Sequence, residues 1–371
     1  MHTGCRRSLR FLISIFILLM LLLGCSMPDP KPPLPTPAPA LSPAPVQSAP
    51  PPAAVPEAAP LPLSAWGVYW DSDPVIKELE ILSPSLSSIS AFSMLFDAQD
   101  GMYLPDQTIA LIWQLLEVFG QTKEIYLTFV NDVALEDGGF SLKDVGLLER
   151  IFANDATMDA HIADMIALTQ AAGCGGIELD YEAVKRNATL WEPYGRFIEK
   201  LYARAGEANL SLRVVLEPAS LGKTAYPNGP EYVVMCYNLY GSHSGPGPKA
   251  DMDFIRELAQ KSSGISDVAF AFATGGFDWK NNKDAQQLTQ SDAEALAKRV
   301  GATPVRDTAS GAMQFTYKED NVPHTVWYAD GETLAFWIHT AREAGIMNFA
   351  LWRTGGNAEE ALKRVLEAAQ P

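Results

Sequence analysis

The sequence predicts an α/β chain folded as a closed (β/α)8 TIM barrel, with a small β-rich insertion between the seventh and eighth strands. Three observations carry that expectation. From Leu63 onward, short apolar runs without interior proline alternate with amphipathic helical patterns. Eight such runs fit into about 300 residues, and repeated βα units imply a parallel sheet with helices outside it, which at this count closes more readily than it stays open. Everything before Leu63 has a different composition and belongs to no core. The chain therefore divides into residues 1–24, 25–62 and 63–371, with the insertion expected at about 301–330.

The first stretch reads as an address. Arg6, Arg7 and Arg10 precede a Leu-, Ile- and Phe-rich run from Phe11 to Leu23. As a helix that run would reach about 20 Å, short of the roughly 30 Å of a bilayer core. A basic start, a short apolar run and then small residues make a secretory signal. Leu22-Leu23-Gly24-Cys25 resembles the lipobox of bacterial lipoproteins, which implies Cys25 as the lipidated first residue after cleavage; an ordinary signal with an incidental cysteine is the alternative. The second stretch holds 15 of the chain's 27 prolines between Pro28 and Pro62. Dense proline removes amide donors and fixes φ, so an extended polyproline II tether is expected, with a ligand for a proline-binding module as the rival.

The folded part has eight strand candidates in order: Ser64–Trp70, Ser87–Ser93, Glu124–Val130, Gly175–Tyr181, Ser211–Glu217, Tyr232–Asn238, Asp267–Ala273 and Met347–Trp352. Most are rich in Val, Ile, Phe, Leu or Tyr. Helical patterns fall between them at Asp106–Phe119, Thr157–Ala172, Trp191–Ala208 and Gly331–Ala344; in the second, Met158, Ile162, Met165, Ile166 and Thr169 share one face. The insertion is expected from short extended segments at Thr303–Arg306, Met313–Lys318 and His324–Tyr328.

Charge and cysteine content bound the function. With 28 Lys and Arg against 44 Asp and Glu, the net charge of −16 excludes a nucleic-acid partner, and loss of residues 1–24 would leave −19. Cys5 leaves with the signal, and Cys174 and Cys236, both beside apolar strands, read as buried free thiols rather than a disulfide. The five histidines are scattered and no cysteine–histidine cluster has ligand spacing, so neither a metal nor a cofactor is expected.

The fourth strand carries the chemistry. In Gly175-Gly176-Ile177-Glu178-Leu179-Asp180-Tyr181-Glu182, alternation puts Ile177, Leu179 and Tyr181 on one face and the three acids on the other, toward the barrel interior. Like charges so close cannot all stay ionised, so at least one acid should hold a proton. Glu182 falls at the C-terminal end of the strand, where barrel active sites are built.

GGIELDYE resembles the DGxDxDxE signature of family 18 glycoside hydrolases, the chitinase-like barrels. The resemblance implies Glu182 as general acid and Asp180 as the residue that orients the substrate acetamido group. Glu178 stands at the motif's first aspartate, one methylene longer, and is expected behind Asp180, sharing its proton and contributing to the substrate site. Met235-Cys236-Tyr237-Asn238 resembles the family's Met-x-Tyr-Asp and implies Met235 at the substrate site and Tyr237 and Asn238 on the acetamide, with an amide in place of the acid. Gly241–Pro248 and Trp327-Tyr328 resemble the spore-cortex and germination branch. Phe349–Arg353 resembles the eighth-strand end and implies Trp352 as the floor under the sugar; Tyr69 stands at an aromatic position lining the same subsite.

Other residues are read from position alone. Trp279, after the seventh strand, could stack on a sugar, Trp66 and Trp70 fit core or cleft, and Glu217 fits substrate or solvent. A family-18-like enzyme needs no second carboxylate as nucleophile, because the acetamido oxygen of N-acetylglucosamine attacks instead. The expectation is thus a monomeric, lipid-anchored glycosidase of the cell envelope, facing outside the cytoplasm, acting on an N-acetylglucosamine-containing polysaccharide such as peptidoglycan or chitin. Its rival is a non-catalytic glycan-binding protein, for which Glu178 and Asn238 speak.

Overall fold

A computed structural model describes residues 60–370, so the expected signal, Cys25 and most of the proline-rich stretch lie outside the described residues. Each of the eight apolar runs becomes a parallel strand: β1 Leu63–Val68, β2 Leu86–Phe96, β3 Glu124–Ala134, β4 Gly176–Asp180, β5 Ser211–Leu216, β6 Glu231–Met235, β7 Val268–Phe272 and β8 Asn348–Leu351. Each strand pairs with the next, and β8 pairs back onto β1 through Leu63 opposite Phe349, closing the (β/α)8 barrel. Leu61 N–H also donates to the Ala369 carbonyl at 2.8 Å, tying the two ends of the described chain together below the ring.

Alternation along the strands sorts the core into two layers. Ile177, Leu179, Tyr232, Val234, Phe270 and Phe272 point outward, into one large cluster with the surrounding helices. Val215, Val233, Met235, Ala269, Ala271 and Ala350 point inward and pack under Phe92, Tyr237 and Trp352. The small interior alanines leave room for those aromatic rings. Helices Asp106–Phe119, Asp155–Ala171, Trp191–Glu207 and Gly331–Glu343 match the predicted ones within two residues. The Asp155–Ala171 helix starts in a capping box between Asn154 and Thr157.

The insertion is larger than the sequence predicts. It is a five-stranded antiparallel sheet ordered 284–288, 275–280, 322–329, 313–319, 305–306, so it begins at Gly275 rather than near residue 301. The first two strands, GGFDWK and DAQQL, are polar and hold no β-branched residue, which hides them from pattern reading. Their turn passes through Asn281 and Asn282 at φ of 52° and 59°, a conformation asparagine tolerates. The helix Gln290–Val300 packs Ala293, Leu296 and Ala297 against Phe315, Val326 and Tyr328 of this sheet. Cys174 and Cys236 are free and buried.

Candidate active site

β4 is shaped by its glycine. A side chain at Gly176 would come within 2.4 Å of the Tyr126 ring, so only glycine lets β3 and β4 lie together there. Two residues on, Glu178 is fully buried inside the barrel. Its carboxylate accepts hydrogen bonds from Trp66 Nε1 at 2.5 Å, Ser90 Oγ at 2.7 Å and Thr128 Oγ1 at 2.7 Å. Arg213, its register partner on β5, completes the shell with Nε at 3.4 Å. Arg213 is itself fully buried, lies over the Trp66 ring and donates to Ser64 and Ser88. Three hydrogen-bond donors and the ion pair with Arg213, whose Nε itself makes no hydrogen bond, thus hold the carboxylate in one place.

This geometry corrects two expectations about Glu178. Sealed under Trp66 it cannot touch a substrate, and no hydrogen bond joins it to Asp180. Asp180 is also buried, yet its Oδ1 has no partner at all. Burial lifts the Asp180 carboxyl well above the usual carboxylate range, and the charges of Glu182 and Glu178 add to the effect. The inward face of β4 thus has a locked acid below and an unpartnered, proton-holding acid above.

Glu182 follows where the strand leaves the barrel. Its backbone N–H donates to Asn131 Oδ1 at 2.8 Å, and its carbonyl accepts from Asn131 Nδ2 at 3.1 Å. The next residue, Ala183, is left-handed (φ 60°) and donates its N–H to Glu217 Oε2 at 2.7 Å, which pins the strand end. The Glu182 carboxylate accepts from Lys143 Nζ, and the side chain is 14% exposed. Burial raises its pKa despite the opposing pull of Lys143, with Glu217 and Asp132 also pushing it up. A raised carboxyl is what a general acid needs near neutral pH.

A cleft of about 590 Å³ opens beside these residues, lined among others by Lys143, Glu217, Tyr237, Asn238, Phe277 and Trp352. Tyr237 and Trp352 lie with ring planes 11° apart and centroids 6.5 Å apart. Trp352 is braced edge-on by Trp66 and Phe92, at 5.5 and 5.0 Å. Burial first, and then the charges of Asp180 and Glu182, keep the Tyr237 hydroxyl protonated. Asn238 Nδ2 donates to Met235 Sδ at 3.3 Å, so Met235, expected at the substrate, is instead buried in the barrel interior and positions the amide from below.

The structure therefore brings together Asp180, Glu182, Tyr237, Asn238 and Trp352, with Glu217 now in the lining. Two aromatic assignments are corrected. Tyr69 belongs to the outer packing: the chain turns into a 3-10 helix at Tyr69–Asp71, which breaks the strand's alternation and packs the ring against the outer core. Phe92 is the aromatic beside Trp352 instead. Trp279 is fully buried and cannot stack on a sugar; its Nε1 donates to the Ser244 carbonyl at 3.2 Å, holding the 241–248 loop. Sequence reasoning missed Arg213, Lys143 and Asn131. Among the described residues no group of three or more His, Cys, Asp and Glu side chains is disposed to hold a metal ion.

The (β/α)8 fold is similar to that of chitinases and spore cortex-lytic enzymes. A chitinase from Chromobacterium violaceum superposes with a TM-score of 0.71 at 18% identity, over 84% of this chain and 99% of that one. The spore cortex-lytic enzyme SleL of Bacillus cereus gives 0.68 at 20% identity, over 83% and 74%. In sequence, the cortical fragment-lytic enzyme of Bacillus cereus is 24% identical over 304 residues, which is 76% of this chain and 67% of that protein. No protein-family model matches the chain.

Proposed function

We propose that this protein is a glycoside hydrolase that cleaves β-linked glycans containing N-acetylglucosamine, peptidoglycan or chitin-like, by substrate-assisted retaining catalysis. The observation that carries the proposal is the end of β4, where Asp180 and Glu182 are both pushed toward the protonated form beside an aromatic-floored cleft. Glu182 gives its proton to the leaving glycosidic oxygen while the acetamido oxygen attacks the anomeric carbon. The unpartnered Oδ1 of Asp180, with Tyr237 and Asn238, is available to hold the acetamide in line. Water then opens the cyclic intermediate, and the Glu182 carboxylate takes up its proton, restoring the acid. The names of the relatives, two cortex-lytic enzymes and a chitinase, favour the same substrate class.

The test uses the full chain and its Glu182→Gln variant, with N-acetylglucosamine oligomers and purified peptidoglycan. Cleavage by the first and a loss of about 10²-fold or more in kcat by the second is the expected result. Binding by both without products would overturn the enzyme in favour of a glycan-binding protein. We also propose, from the Leu-Leu-Gly-Cys sequence, lipid anchoring at Cys25 in the cell envelope. A Cys25→Ala variant should then leave the membrane fraction, and undiminished retention would refute the anchor.

A further inference from the structure

Lys249 lies on the loop after β6 and lines the cleft together with Trp352. The residue is 8% exposed, yet its ammonium has a single acceptor, the Thr274 carbonyl at 2.7 Å. Among the described residues no carboxylate pairs with it. The Phe277 ring stands 5.6 Å away, a weak substitute for a counter-anion. An ammonium has three donors, and burying one without a partner charge is costly. Burial and the nearby Arg353 charge push Lys249 down to about 7, the signature of a cation lacking its anion.

The same lysine lines a second cavity of about 220 Å³, which shares Lys249, Gln287 and Trp352 with the cleft and adds Arg353 and Asp292. Arg353 pairs with Asp71 at 2.6 Å through Nη1, which also donates to the Thr354 and Gly355 carbonyls. Asp292 is occupied by the capping box at Thr289, accepting from its hydroxyl at 2.7 Å. Lys249 is thus the one cation of this cavity with no carboxylate of its own.

We propose that the cavity between Lys249 and Arg353, beside Trp352, is an anion subsite that binds a carboxylate carried by the glycan. It deepens the glycosidase reading and rests on it: the substrate is an acidic N-acetylhexosamine polymer, such as one carrying the lactyl acid of muramic acid, rather than a neutral one. A carboxylate here would accept from Lys249 and bring the missing negative charge. One charge-assisted hydrogen bond of this kind corresponds to about tenfold or more in binding.

Two matched ligands test it: peptide-free peptidoglycan fragments with free lactyl carboxylates, and the same fragments methyl-esterified. For the full chain, kcat/KM on the acid should exceed that on the ester by about tenfold. Lys249→Met should bring this ratio toward one, and Lys249→Arg should keep it. A ratio near one in the unaltered protein, or one that Lys249→Met leaves unchanged, overturns the subsite while the glycosidase stands. Calorimetric binding of both ligands to Glu182→Gln reads the subsite without turnover. Equal affinities there overturn it, and a preference for the acid supports it even if no fragment is cleaved and the glycosidase reading falls.

Discussion

Glu178 and Asp180 occupy successive inward positions of one strand, are both buried, and have opposite surroundings. Glu178 is held by three hydrogen-bond donors and an ion pair with a fully buried arginine, whereas Asp180 has an oxygen with no partner and a pKa driven up by burial. Neighbours two residues apart thus become a carboxyl locked in place and a proton carrier. The difference comes from what β1, β2, β3 and β5 aim at each level of the barrel, not from the acids themselves. Three hydrogen-bond donors and an arginine converge on the lower level, while none reaches Asp180 Oδ1 on the upper one.

The largest effect should come from unbalancing the lower level. Arg213→Met leaves Glu178 buried without its cation, which should cost about 3–5 kcal/mol in urea unfolding. The double variant Arg213→Met/Glu178→Gln should recover much of that loss; if it is no more stable than the single one, the pair is not the reason Arg213 is there. A smaller effect is expected from Glu178→Gln alone. Removing one of the charges facing Asp180 should let it ionise at lower pH, seen as an earlier disappearance of its protonated-carboxyl infrared band. An unmoved band would mean the two levels are electrically independent.

The smallest change belongs to Lys143→Met. The ammonium holds Glu182 below where burial alone would put it, so its loss should raise that pKa. Activity depends on protonated Glu182, so the alkaline limb of the kcat/KM profile should move to higher pH. A shift to lower pH, or none, would remove Lys143 from the site's electrostatics.

The eight strands were legible because apolar residues recur with strand and helix periods and the barrel buries both. The acids of β4 were legible for the same reason, as three charges alternating with an apolar face. Arg213 left a signal that went unused: a lone charge inside the apolar run Ser211–Leu216 needs a buried partner, and β4 is the neighbouring strand. Lys143 and Asn131 left none, because they reach Glu182 from 39 and 51 residues away, one from a loop and the other from β3, and no local pattern encodes either approach. Trp279 was misread because exposure cannot be inferred for an aromatic in a polar strand. Its inward turn depends on the Ser244 loop that it holds.

The hydrogen bond from Leu61 to Ala369 has a consequence for engineering the molecule. Since the ends of the described chain already meet, a short linker could join residue 370 to residue 60 and new ends could be cut elsewhere. The turn at Gly138 is exposed, has φ of 84° and offers nothing within 4 Å of an added side chain, which makes it a natural opening. Such a circular permutant would keep every barrel pairing while detaching the order of the strands in the gene from their order around the ring.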